Sequence, residues 1–249
     1  LNDAENRQGA GLKAEALSVG GLTPLSTSDW PGKLAATVFC QGCGWACPYC
    51  HNAALRTFGA GARPWAEVPA WLETRQGLLE AVVFSGGEPL LQPGLGDAMR
   101  QVREFGFEVG LHTSGMDPLA LARVLPLCHW VGLDLKAPQS AYARITGAPG
   151  SAGTARESLD LLRKSGVPFE LRTTWHPALL SEGELLELAG ELAALPGKAG
   201  PLLWVLQAFQ PEGCADAELA ASGRGHVPER LAAALRAALG ESGRLAVRQ

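Results

Sequence analysis

The chain has 249 residues, 47% of them hydrophobic and 18% charged, with 31 glycines and 17 prolines, a composition that supports a sizeable globular core. Its formal net charge of −4 comes without a dense basic run, which argues against nucleic-acid binding. No apolar stretch approaches the ~18 uninterrupted residues of a membrane span. The polar opening, residues 2–11, also lacks the apolar centre of a signal peptide, so a cytoplasmic location is expected.

In chain order, residues 1–15 are polar, lack sustained periodicity and read as a flexible N-terminal tail. No long linker divides the rest of the chain, so residues 16–249 are expected to form a single domain. Short apolar runs at 35–39, 81–84, 107–111, 130–133, 168–171 and 202–206 alternate with amphipathic segments, the pattern of repeated βα units on a mainly parallel sheet. Helices are predicted after Asp117, with Pro118 just inside the start, and after Thr154, stopping at Ser165-Gly166. A further helix follows Ser181, where Leu185, Leu188 and Leu192 repeat at helical spacing until Pro196.

Each predicted strand leads into residues able to do chemistry. The first leads to cysteines, the second to Ser85-Gly86-Gly87-Glu88 and the third to His112-Thr113-Ser114-Gly115. The fourth leads to Asp134 and Lys136, the fifth to Arg172, Thr173 and His176, and the sixth to Gln207 and Gln210. In a parallel β/α barrel such strand ends converge on one face, which predicts one site assembled from all the units.

Cys40, Cys43, Cys47 and Cys50 crowd together while Cys128 and Cys214 stand alone, unlike a disulfide framework spread along a short secreted chain. Cys43, Cys47 and Cys50 are spaced C-x3-C-x2-C, with no fourth partner at matching spacing. Structural zinc generally takes four protein ligands, whereas a [4Fe-4S] cluster on three cysteines leaves one iron open to a substrate or cofactor, a catalytic arrangement. Two other readings stand beside it. Cys40 as a fourth ligand would close a structural zinc site and make the chain a zinc-binding interaction module, and Cys47-Pro-Tyr-Cys50 could be a redox-active thiol pair.

With Tyr49 just before the last cysteine of that motif, and Gly86-Gly87-Glu88-Pro89 after the second predicted strand, the sequence resembles the radical S-adenosylmethionine (SAM) enzymes. Within them it resembles the glycyl-radical-enzyme activases, specifically the anaerobic ribonucleoside-triphosphate reductase activating proteins. The matching segments include Ser28-Asp-Trp-Pro-Gly-Lys33, Cys47-Pro-Tyr-Cys-His-Asn52, Leu133-Asp-Leu-Lys136 and Arg172-Thr-Thr-Trp-His-Pro177, in order from about residue 20 to 211. The resemblance implies an α/β fold, a partial (β/α)6 TIM-like barrel, with a [4Fe-4S] cluster on Cys43, Cys47 and Cys50 and SAM chelating the open iron. One electron would cleave SAM to methionine and a 5′-deoxyadenosyl radical, which abstracts hydrogen from a glycine of a transient partner, an anaerobic ribonucleotide reductase. No cysteine lies between Cys50 and Cys128 to hold a second cluster, so the electron is expected from an external flavodoxin or ferredoxin. A radical SAM enzyme modifying a small molecule or RNA is the alternative within the same chemistry.

Gly86 and Gly87 permit close backbone approach and can offer carbonyls to the SAM ammonium, and Glu88 orients that turn or complements the charge. Alone, the same residues would be an ordinary strand-to-helix turn. Tyr49 is expected against the adenine, although loop aromatics commonly pack into cores. Asp134 and Lys136 alternate after a strand and share a face; the resemblance sets them near SAM and the incoming peptide, while the plain alternative is a surface ion pair. Thr113 and Ser114 are candidates for the SAM amino group or ribose. Arg172 is one for the SAM carboxylate, since a guanidinium suits bidentate recognition, and His176 for ribose or peptide. His112 reads equally as a satisfied buried histidine, and Cys40 as a buried bystander.

Overall fold

The computed structural model describes residues 14–196, 202–214 and 216–249, so residues 1–13 of the expected tail lie outside the described residues. The described chain divides into two compact units, one of residues 14–44, 54–113 and 117–131, the other of 45–53, 114–116 and the residues from 132 onward.

In the first unit, β1 (Val19–Ser26) pairs antiparallel with β2 (Ala35–Cys40), interrupted by register shifts after Val19 and Thr23. After β2, α1 (Glu67–Glu73) buries Val68 and Leu72 and leads to β3 (Ala81–Gly86). There α2 (Leu95–Glu104) turns Leu95, Ala98, Met99 and Val102 inward, the spacing that makes one apolar stripe on a helix. β4 (Glu108–Thr113) and α3 (Pro118–Val124) come next; the Asp117 side chain caps α3 by accepting from the Ala120 amide at 2.8 Å. β2, β3 and β4 are parallel, with Thr37 opposite Val83 and Val83 opposite Gly110. Buried almost end to end, β2 and β3 need near-continuous apolar runs, which is why Ala-Ala-Thr-Val-Phe and Ala-Val-Val-Phe read as strands without alternation. Trp30 stacks on Trp130 at 5.4 Å over Ala35, Ala81 and Val83.

β5 (Trp130–Asp134) begins in the first unit and ends in the second. The second continues through α4 (Tyr142–Thr146), α5 (Ser151–Ser165), β6 (Phe169–Trp175), α6 (Glu182–Ala193), β7 (Leu202–Ala208), α7 (Ala217–Ala221), α8 (Glu229–Leu239) and β8 (Gly243–Arg248). β6, β7 and β8 are parallel. α5 starts four residues earlier than predicted, capped at Gly150 and not at Thr154, whose hydroxyl donates back to the Ser151 carbonyl inside the helix and caps nothing. α6 starts where predicted: Ser181 and Glu184 bond each other's backbone reciprocally.

The fold is α/β, with one mostly parallel sheet whose eight strands follow chain order. The six predicted strands are β2–β7. β1 and β8 were not predicted, because each is an edge strand with weak local signals: Gly20, Gly21 and Pro24 interrupt one, and Arg244 and Arg248 the other. Several strands also run past their predicted ends, so Ser85, Gly86, His112, Thr113, Arg172 and Thr173 lie within strands. Among the described residues no helix is long and apolar enough to cross a membrane.

Candidate active site

Cys40 ends β2, and Cys43, Cys47 and Cys50 occupy the loop that comes after it. Its base is closed by backbone bonds from Gly42 to the Leu55 carbonyl (2.7 Å) and from Cys43 to that of Arg56 (3.0 Å). The Gly86-Gly87 turn at the end of β3 is pressed against this base. Gly87 donates to the Cys40 carbonyl and Glu88 to that of Gly42, each at 2.8 Å. A Cβ on Gly87 would stand 2.3 Å from the Gly42 carbonyl oxygen, and one on Gly86, at φ +109, 2.4 Å from the Cys40 nitrogen. Two backbones meet here at a distance only glycine allows.

Glu88 is buried and holds Thr113, whose hydroxyl donates to Oε1 at 2.6 Å; the same oxygen accepts from the Leu90 amide at 3.1 Å. The carboxylate thus ties the end of β3 to the end of β4. Cys40 is buried, and burial first, then the Glu88 charge, push its thiol far above the ordinary range. His112 is engaged on both ring nitrogens, with the Ser85 hydroxyl at 3.2 Å and the Asp29 carbonyl at 2.7 Å. It packs edge-on to Trp130 as a structural histidine.

In the second unit, the loop's Ala46 donates to the Thr146 carbonyl at 2.8 Å, and Trp45 packs edge-on to Tyr142. Cys50 closes a tight turn onto the Cys47 carbonyl at 3.2 Å. Tyr49 is buried, with the Lys136 ammonium 5.6 Å from its ring centroid. Asp134 and Lys136 pair at 3.1 Å, with the Lys136 end buried and the Asp134 carboxylate half-exposed, so the ion pair is half-buried. Tyr142 joins them, accepting from the Lys136 amide and donating to the Asp134 carbonyl. Burial works against the Lys136 charge, yet the Asp134 carboxylate beside it outweighs burial and holds the ammonium well above its usual range. At Cys47, burial raises the thiol and the Lys136 charge opposes it. On balance the Cys47 thiol stays above its ordinary range, with Lys136 as the nearby cation that works against burial.

Ser114 is buried beside Gly115, whose carbonyl accepts from Ser158 at 2.7 Å. Arg172 donates through Nε to Oε1 of the buried Glu170 at 2.7 Å, and Arg248 Nη2 donates to both oxygens of that carboxylate at 3.0 and 3.1 Å. Glu170 was legible in principle, since it lies two residues before Arg172 and shares its strand face. Arg248 was not, because its strand was not predicted. At His176, Nδ1 accepts from the Ala178 amide. The Ser222 hydroxyl gives its proton to the Leu219 carbonyl, so the His176 Nε2–H points at Ser222, 3.3 Å away.

No disulfide joins any of the six cysteines, and among the described residues no three His, Cys, Asp or Glu side chains converge as a ready metal cage. Three soft thiolate donors on one irregular loop, with a cation beside the buried one, nevertheless suit an iron-sulfur cluster. A family model described as the Radical SAM superfamily matches residues 37–193. A protein of Methanocaldococcus jannaschii named as a glycyl-radical enzyme activating enzyme is 28% identical over 207 residues, 80% of this chain and 83% of its own. The pyruvate formate-lyase-activating enzyme of Clostridium pasteurianum is 34% identical over 175 residues, covering 66% of this chain and 70% of its own. Among solved structures, QueE from Escherichia coli aligns over 100% of both chains with a TM-score of 0.59 at 18% identity, a likeness of fold. The family match spans more than half of the chain and decides between the readings that the cysteine spacing left open. The zinc-binding interaction module falls away, and the chain is a radical SAM enzyme that belongs to the Radical SAM superfamily.

Proposed function

We propose that this enzyme is a glycyl-radical-enzyme activase whose partner is an anaerobic ribonucleotide reductase. The observation that carries the reading is the loop of three cysteines spaced C-x3-C-x2-C, in a chain similar over most of its length to enzymes named for activating glycyl-radical enzymes. Cys43, Cys47 and Cys50 would hold a [4Fe-4S] cluster, with SAM on the open iron. When bound, the two supply one-electron cleavage of SAM and abstraction of a hydrogen atom from a partner glycine.

The residues of the chain do the rest. Gly86 and Gly87 keep the loop base at backbone contact with β3, and Glu88 holds Thr113 beside it. Lys136 supplies positive charge beside Cys47 and Tyr49, and Asp134 fixes that ammonium. Ser114, Arg172 and His176 are assigned to SAM or the peptide, with Arg172 held in orientation by Glu170. One electron per turnover comes from an external flavodoxin or ferredoxin, in the cytoplasm. The partner binds transiently, because it must leave to run its own turnovers.

The test mixes reconstituted, reduced protein with SAM and the reductase under strict anaerobiosis and records electron paramagnetic resonance (EPR) spectra. A glycyl doublet on the reductase that requires SAM is the expected result. Only uncoupled 5′-deoxyadenosine, with every glycyl-radical enzyme tried, would transfer the assignment to a small-molecule or RNA substrate.

A further inference from the structure

Immediately after β7, within the second unit, the chain turns back along residues 48–51 of the cysteine loop. The Phe209 ring lies 5.9 Å from that of His51, and His51 Nδ1 stands 3.0 Å from the Glu212 carbonyl. Gly213, at φ +77, comes so close that a Cβ would sit 2.7 Å from the His51 carbonyl oxygen. The Cys214 thiol donates to the Pro48 carbonyl at 3.3 Å and shares its hydrogen with the Asp216 carbonyl at 3.6 Å. The approaching segment is itself anchored, since Phe209 donates to the Trp175 carbonyl at 2.9 Å and accepts from Gly225 at 2.7 Å.

We propose that residues 209–214 form a clamp that positions the Cys47 and Cys50 thiols, with Gly213 and Cys214 as its positioning residues. An irregular loop has no ladder of its own to hold it, so freezing it for a ligand costs conformational entropy unless neighbours order it beforehand. The clamp meets this loop by hydrogen bonds at the Pro48 carbonyl and the His51 ring and by close backbone approach at the His51 carbonyl, so that its contacts bracket Cys50. Cys214 acts through its S–H, as a hydrogen-bond donor to the loop and not as an iron ligand. The proposal rests on the reading of Cys47 and Cys50 as cluster ligands, and the experiment keeps the two apart.

Hydrogen exchange of the full chain is measured first without iron and then after anaerobic reconstitution, tracking residues 47–53 against β3 as an internal control. The Cys50 amide, bonded to the Cys47 carbonyl, is the reporter. Gly213→Val and Cys214→Ala should each speed exchange over 47–53 by about tenfold or more with β3 unchanged, and should shift the EPR g-values of the reduced cluster. Cys214→Ser keeps a donor and should restore both readouts. If Gly213→Val does not fold, the two Cys214 variants decide the matter. Unchanged exchange in Cys214→Ala, or equal loosening in Cys214→Ser, would overturn the clamp. So would loss of four-iron content in both Cys214 variants, which would make Cys214 a ligand. A parent protein that binds no iron defeats the cluster reading, while exchange in the iron-free chain still decides the clamp.

Discussion

Cys40 and Cys43 stand three residues apart on one strand-to-loop junction, and their surroundings separate them. Cys40 is buried against the Glu88 charge, which opposes a thiolate, whereas Cys43 is half-exposed on the loop. Cys43→Ala, Cys47→Ala and Cys50→Ala should therefore each abolish the four-iron content of reconstituted protein, and Cys40→Ala and Cys128→Ala should keep it. Iron retained in Cys47→Ala and lost in Cys40→Ala would reverse the assignment. Gly87 sharpens a second expectation. From sequence, a bulky residue there should weaken SAM binding and leave iron in place. The structure sets its Cβ direction against the Gly42 carbonyl at the base of the cysteine loop, so Gly87→Val should lower both SAM affinity and iron content. Iron analysis beside SAM titration checks this, and normal iron with weak SAM binding would restore the narrower role.

Among the elements, α6 carries the most legible start. Ser181 accepts from the Glu184 amide at 3.2 Å while the Glu184 carboxylate accepts from the Ser181 amide at 2.8 Å and pairs with Arg144. Ser181→Ala should cost about 1 kcal/mol of stability, read from denaturant unfolding. The Ser181 amide first, then the Ser181 hydroxyl and Arg144, outweigh burial and depress the Glu184 pKa. A carboxylate with a depressed folded value contributes stability above its ordinary value of 4.5 and loses it as pH falls through the folded one. Ser181→Ala keeps the backbone amide and loses only the hydroxyl, so the gap between parent and variant should narrow on acidification below that value by the hydroxyl's share alone. The β8 strand offers a contrasting test. Arg248→Ala leaves the buried Glu170 with Arg172 alone, and because Arg248 is partly exposed the expected cost is discounted to about 1–2 kcal/mol. Arg248→Lys, which keeps one charged donor, should recover part of it in the same unfolding measurement.

For the whole molecule, the prediction is chemical. Reconstituted protein with SAM and a low-potential reductant should release 5′-deoxyadenosine and methionine, and iron chelation should abolish the release. Omitting the reductant should do the same, because reductive cleavage of SAM consumes one electron that an oxidised cluster does not hold. Chromatography of the reaction decides; no 5′-deoxyadenosine from SAM with a verified reduced cluster would defeat the catalytic reading. At this scale the βα order was legible, because six buried parallel strands need apolar runs that stand out from the helices between them. The edge strands β1 and β8 were hidden because their pairing, and not their composition, makes them strands.

The sequence by itself determined what is local and periodic: the buried strands, the caps at Asp117 and Ser181, and the thiol spacing of Cys43, Cys47 and Cys50. It also carried the glycine pair, because spacing and residue type are covalent facts that need no partner. Only the tertiary structure decided which neighbours those residues meet. It set Lys136 on Tyr49, Glu88 on Thr113, Arg248 on the carboxylate that holds Arg172, and residues 209–214 along the cysteine loop. Each of these contacts joins positions far apart in the chain, and their strength comes from burial and shared charge that exist only after the strands have paired.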